Sequence, residues 1–169
     1  ALHTPEGIVV YGNDFKIDYT PILESPPNFN ALRRISKEGI KVAILDSLYC
    51  SSETKTPSEN VARNMVKDVF SGMHGNKSAI FISTFSSHIA RLKSIIYFGK
   101  KLDRDIIFMG RSLHKYFLAA HDAKIIELKN QVRLVTYKNQ VISALKKINN
   151  EREKYLVVCT GHQGEPGSV

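Results

Sequence analysis

The chain is poor in cysteine and has no tryptophan: Cys50 and Cys159 are its only two thiols in 169 residues. Two cysteines so far apart form neither a disulfide framework nor a CxxC metal knuckle. Sparse thiols fit a cytoplasmic protein. No apolar run approaches the roughly 18 residues of a membrane span, and no signal peptide opens the chain. There is no GxGxxG and no GxxxxGK[ST], which argues against dinucleotide and P-loop binding. Histidines stand at 3, 74, 88, 114, 121 and 162, and no pair has the HxH or HExxH spacing that puts two imidazoles on one metal. Acidic residues are outnumbered, with 16 Asp plus Glu against 24 Lys plus Arg, a formal charge of +8. That balance points to a polyanion partner, most simply nucleic acid.

What remains is ordinary globular composition, 43% hydrophobic and 24% charged. A chain of this length buries a core without disulfides or metal. It opens on Ala1-Leu2-His3 before the turn-like Thr4-Pro5-Glu6-Gly7, and its last residues read as a loop. Both ends look cut, so a piece of a longer enzyme is expected.

Residues 8–11 form a β-branched run, and 14–19 alternate polar and apolar as a half-exposed strand does. Three prolines mark 20–29 as a connection, and a short helix over 30–38 is expected to bury Leu32 and Ile35. Then the pattern changes. Val42-Ala43-Ile44-Leu45 reads as a strand buried on both faces. Thr56-Pro57-Ser58-Glu59 reads as a capping box with Pro at the first helical position, leading a helix with Val61, Ala62, Met65, Val66, Val69 and Phe70 on one face. Further strands are read at 79–82, 106–109 and 156–159, and further helices at 87–98, 112–121 and 139–148. The stretch 125–136 is ambiguous, with a short strand near Arg133–Thr136. Apolar strands alternating with amphipathic helices predict an α/β domain with a parallel sheet.

In such sheets ligands bind outside the carboxyl ends of the strands. The residues there are Asp46-Ser47, then Ser83-Thr84-Phe85-Ser86-Ser87-His88, then Gly110-Arg111-Ser112, then Thr160-Gly161-His162-Gln163-Gly164. All four exits are polar, hydroxyl-rich or glycine-rich. Hydroxyls and free N–H groups at helix N-termini make an anion site, to which Arg91 and Arg111 add charge. Ser86, Ser87 and Ser112 read equally as plain helix caps. Phe85 reads as a core residue, with stacking on a base as its alternative, Cys159 reads as core, and His114 and His121 read as packed or solvated histidines. Asp14 follows a Gly-Asn turn. Asp46 ends an apolar strand, where a bare carboxylate is costly unless paired, and its alternative is a cap or turn.

These segments together resemble the ribonuclease J family. Gly12-Asn13-Asp14-Phe15-Lys16-Ile17-Asp18-Tyr19-Thr20-Pro21 is similar to the family's His-Thr-Gly-Asp-Phe-Lys segment and the Asp-Tyr-Thr-Pro after it. Ile44-Leu45-Asp46-Ser47 with Thr56-Pro57-Ser58-Glu59 resembles the first beta-CASP motif and its helix. Ser83-Thr84-Phe85-Ser86-Ser87-His88-Ile89-Ala90-Arg91 resembles the Thr-Phe-Ala-Ser segment, and Thr160-Gly161-His162-Gln163-Gly164-Glu165-Pro166 the Thr-Gly-Ser-Gln-Gly-Glu-Pro loop. Tyr11, Asn13 and His162 depart from the family's usual His, Gly and Ser.

The resemblance implies a metallo-beta-lactamase-type nuclease with an inserted beta-CASP domain. Residues 1–29 would be the edge of the metallo-beta-lactamase sheet and its connection. Residues 30–169 would be a Rossmann-like α/β/α beta-CASP domain, incomplete at its C-terminus. It implies two zinc ions, with Asp14 the bridging ligand and Asp46 the catalytic carboxylate that supports the metals. Two metals clamping a phosphodiester and activating a water would suit that chemistry. Ser86, Ser87, His88, Arg91, Gly161, His162, Gln163 and Gly164 would line a single-stranded RNA groove. The HxHxDH metal motif is not in this sequence, so the isolated chain is expected neither to hold zinc tightly nor to cut RNA. Its expected partners are single-stranded RNA, the metallo-beta-lactamase domain of the same polypeptide and, in an assembly, further copies of itself. The favoured activity is 5′-to-3′ exonuclease, with endonuclease beside it. The rivals are a non-catalytic RNA-binding α/β module, an unrelated doubly wound enzyme for a nucleotide or sugar phosphate, and a DNA-repair nuclease of the same superfamily.

Overall fold

A computed structural model describes residues 1–127 and 129–161. The chain forms two compact units, Ala1–Asn60 and Val61–Val169.

In the first unit, β1 (Leu2–Thr4) and β2 (Gly7–Gly12) form the expected hairpin. Thr4 Oγ1 donates to the Gly7 carbonyl at 2.7 Å across the turn. α1 (Phe29–Glu38) is capped by Asn28, whose side chain accepts from the Ala31 N–H at 2.9 Å. It buries Ile35 but leaves Leu32 46% exposed, against expectation. β3 (Ile40–Leu45) pairs in parallel with β2. This corrects two readings. Residues 42–45 belong to a three-stranded sheet β1-β2-β3, not to the main parallel sheet, and all six residues of β3 are exposed. The reason is coverage: side chains of a strand point to the two faces of its sheet, and among the described residues nothing is packed over β3 closely enough to bury them. Residues 14–19 are no strand either, and Asp18 turns inward there and is buried.

α2 (Glu59–Ser71) starts two residues beyond Pro57, so Pro57 is not its first residue. Asp18 supplies an N-terminal acceptor, taking the Glu59 N–H at 2.8 Å, while Ser58 Oγ takes the Asn60 N–H at 3.2 Å. Of the apolar face expected on α2, only Phe70 is buried.

The second unit is the α/β layer structure that the alternation predicts. β4 (Ile80–Ser83), β5 (Asp105–Met109), β6 (Val132–Val135) and β7 (Tyr155–Cys159) form one sheet, ordered β4-β7-β5-β6 and parallel throughout. α3 (Ile89–Lys101), α4 (Arg111–Asp122) and α5 (Lys138–Asn150) make the crossovers. The core is built on the two inner strands: Ile106, Ile107, Phe108, Met109, Leu156, Val157 and Val158 are buried. Side chains alternate across the sheet. Val157 and Tyr155 pack with Ala144 and Ile148 of α5. Leu156 meets α3, where a Cβ on Gly99 would lie 3.0 Å from Leu156 Cδ1 and 3.1 Å from Ile106 Cδ1. Only glycine lets that helix approach so closely. At the opposite strand ends, the guanidinium of buried Arg104 donates to the carbonyls of Ser78 at 2.9 Å, Arg152 at 3.1 Å and Asn76. It thereby ties down the segments that lead into β4 and β7. Among the described residues no helix is long and apolar enough to cross a membrane.

Candidate functional site

Parallel pairing puts the carboxyl ends of β4, β5, β6 and β7 on one edge. The order β4-β7-β5-β6 sets the β7 exit, Thr160-Gly161, between the exits of β4 and β5. Backbone bonds fix these exits: the Thr84 N–H donates to the Cys159 carbonyl at 3.1 Å, and the Gly110 N–H to that of Val135 at 2.9 Å. Gly110, at φ 121, and Gly161, at φ 98, take turns that an L side chain would strain.

Ser86 and Ser87 form the turn before α3 and are not its caps. The cap position is His88, which makes no side-chain capping bond. Ser112 lies inside α4, whose cap position is Gly110. The hydroxyls of Ser86 and Ser87 hydrogen-bond to no described residue. Phe85 is 52% exposed, so the core reading fails for it. Arg91 is half-buried, one turn into α3. With Ser83 and Thr84 it lines one end of an otherwise apolar cleft of about 480 Å³ between α2, β4 and α3. Hydroxyls, a helix N-terminus and a guanidinium in one place can hold a phosphate oxygen. The Cys159 thiol is half-buried, and that burial raises its pKa, which is the opposite of an activated nucleophile. His162, Gln163 and Gly164 lie outside the described residues.

Asp46 is not at this edge; it follows β3 in the other sheet. There Asp14 and Asp46 come together in a different way. β2 and β3 are parallel with Gly12 opposite Leu45, so Asp14 and Asp46 leave the same edge of one sheet, two and one residues later. Both are exposed. Asp46 Oδ1 accepts the Leu48 N–H at 3.2 Å, which is the turn role open to it from the sequence. Among the described residues, no three His, Cys, Asp or Glu side chains converge as a metal set. These residues therefore do not fit a complete zinc site by themselves.

The carboxylate that sequence reasoning misses is Asp18. It accepts from the N–H groups of Glu59 and Thr20, the latter at 2.9 Å, and pairs with Lys16 Nζ at 3.5 Å. Hydrogen bonds from Ser58 and Glu59 hold its pKa at about 2, against burial acting the other way. Its role is to join the 16–20 segment to the start of α2. Alternation places Asp18 on a polar face with Asp14 and Lys16. The signal against that is Asp18-Tyr19-Thr20-Pro21, in which an aspartate two residues before Thr20 can take the backbone N–H there and turn the chain.

A family model described as ribonuclease J, beta-CASP domain, matches residues 77–169. Among curated proteins the chain is 42% identical over its whole length to ribonuclease J of Pyrococcus abyssi, covering 37% of that protein. It is 38% identical to ribonuclease J of Methanocaldococcus jannaschii, again over the whole chain and 38% of the relative. For ribonuclease J of Helicobacter pylori the values are 30% identity and 23% of the relative. The chain thus spans well under half the length of the relatives it matches. The order of the strand-exit motifs, the parallel α/β fold that carries them and the family match agree, and the chain belongs to the ribonuclease J family, with its beta-CASP domain.

Proposed function

We propose that this chain is the RNA-handling part of a phosphodiester hydrolase that acts on single-stranded RNA. The observation that carries the reading is the shared edge of four parallel strands. There Ser86 and Ser87 form the turn that leads through His88 into the start of α3, and Arg91 follows within its first turn. Such a cluster suits a phosphate, and the exposed ring of Phe85 suits a base stacked next to it. The names of the relatives support ribonuclease chemistry. The favoured activity is removal of nucleotides from a 5′ end, with internal cleavage as the alternative.

Zinc belongs to this proposal as a property of the longer polypeptide. Asp14 is this chain's one contribution to the metal pair, and Asp46 supports it from the same sheet edge. His162, Gln163 and Gly164 are assigned to the RNA groove with Gly161. The compartment is the cytoplasm, and the partners are RNA, the remaining metallo-beta-lactamase domain and further copies of the protein. The segment alone is inactive on this reading.

The test uses the full-length protein and 5′-monophosphorylated single-stranded RNA, with and without a chelator. Chelator-sensitive release of products, lost in Asp14→Ala, is the expected result. RNA that is bound but left intact under every metal tried would replace the enzyme with a binding module.

A further inference from the structure

The strand-exit edge does not account for the positive charge at the other end of α3. There Tyr97, 45% exposed, meets cations from two helices. The Arg63 guanidinium of α2 lies 4.7 Å from its ring centroid, and Lys101 Nζ lies 4.8 Å from it. Arg63 also lies 5.2 Å from the ring of Phe98, so its position is fixed by packing. Lys67 stands one turn beyond Arg63 on α2 and is exposed. Among the described residues no carboxylate forms an ion pair with Arg63, Lys67 or Lys101.

Basic residues in the last turn of α3 complement the helix dipole, which explains Lys101. It does not explain Arg63 and Lys67. Like charges at i, i+4 disfavour a helix, and the ring that holds Arg63 attracts a cation without neutralising it. Among the described residues these cations are therefore left without a carboxylate partner. The Tyr97 hydroxyl reports the same field. A hydrogen bond from Lys101 and the Lys101 charge, then Arg63 and Lys67, lower its pKa, with burial opposing.

We propose that Arg63, Lys67, Tyr97 and Lys101 form a second RNA contact, which holds the phosphodiester backbone away from the strand-exit edge. Ten residues of helix separate Arg91 from Lys101, about 15 Å, so one strand of RNA reaches both only if it is long enough. Nucleic acid is favoured over an acidic protein because these cations add to a chain that carries a formal charge of +8, which suits a regular polyanion. The inference rests on the RNA-handling reading above.

The test is binding of the full-length protein to RNAs of about 2 and about 20 nucleotides across a salt series. The variant is Lys67→Gln/Lys101→Gln, which leaves Arg63 packed on its rings. A control pair, Lys115→Gln/Lys146→Gln, changes net charge equally on other helices. Melting temperatures confirm that all variants fold, and Lys67→Gln alone serves if the pair does not. For the long RNA the slope of log affinity against log salt should shrink by about 0.7 for each phosphate no longer neutralised, and affinity should fall at least about threefold. The short RNA should be unaffected. An unchanged slope, or an equal change in the control pair, overturns this surface alone. Wild-type protein that prefers polyglutamate to RNA at this surface also overturns it. Wild-type protein that binds neither RNA overturns the parent reading as well.

Discussion

β3 and β7 are close as sequences and opposite as surroundings. IKVAIL and YLVVC are both short, apolar, β-branched strands in parallel pairing. Every residue of the first is exposed, and four of five in the second are buried. β7 has β4 and β5 as neighbours, with α5 over one face and α3 close to the other through Gly99. β3 has β2 alone beside it in its sheet. An apolar run therefore specifies a strand, while its burial depends on what the rest of the unit lays over it.

The largest effect expected is the direct contrast between the two strands. Leu156→Ala removes a side chain of zero exposure from the middle of the sheet. It should cost about 3 kcal/mol, because the transfer and cavity penalties add. Ile44→Ala, at a site 52% exposed, should cost less than about 1 kcal/mol. Urea unfolding followed by circular dichroism gives both values. Equal losses would mean that β3 is covered in solution, and the contrast between the two strands would collapse.

Arg104 tests the other half of the comparison, namely what holds the ends of the buried sheet. Its guanidinium serves three backbone carbonyls at once. Arg104→Met keeps the length of the stem but strands those acceptors, and should cost about 2 kcal/mol. Amide exchange should speed up first around residues 76–80 and 152–156, ahead of the rest of the sheet. Uniform acceleration instead would show that Arg104 stabilises the unit without pinning its edge.

How much is legible in the sequence follows the same division. Where helix and strand cover each other, period and composition are enough. The strands at 79–82, 106–109 and 156–159 and the helices between them stand within a few residues of expectation. The short strand near Arg133 is also there. Where local rules have no tertiary neighbour to work with, they fail. Val42–Leu45 reads as doubly buried because apolarity alone carries no information about coverage. Alternation over 14–19 imitates a strand, although Asp18 faces inward and is held by the start of α2, at Glu59. The strand-exit rule finds Ser86, Ser87 and His88 because parallel topology fixes where chain ends emerge. It puts Asp46 at the edge of the wrong sheet, because the rule needs to know which sheet a strand belongs to.

The smallest effect concerns Asp18, and its pH dependence has a definite sign. Its folded pKa of about 2 lies below the ordinary carboxyl value of 3.8. A depressed folded value means that the unfolded chain binds the proton more readily, so the stabilising contribution is complete above about pH 4 and fades as pH falls toward 2. Asp18→Asn keeps the shape but gives up the charge that Lys16 and the N–H groups of Glu59 and Thr20 face. Wild type should therefore be the more stable near neutral pH, and the two should converge in acid. Lys16, Thr20, Ser58 and Glu59, the partners of Asp18, all lie within residues 1–60. The difference should therefore appear in a probe of that unit, such as exchange of the Glu59 and Thr20 amides. It should be absent from amides of β5 and β7. A difference that persists below pH 2, or that moves the β7 amides equally, would show that the acid response belongs to other groups and that the two units do not unfold separately.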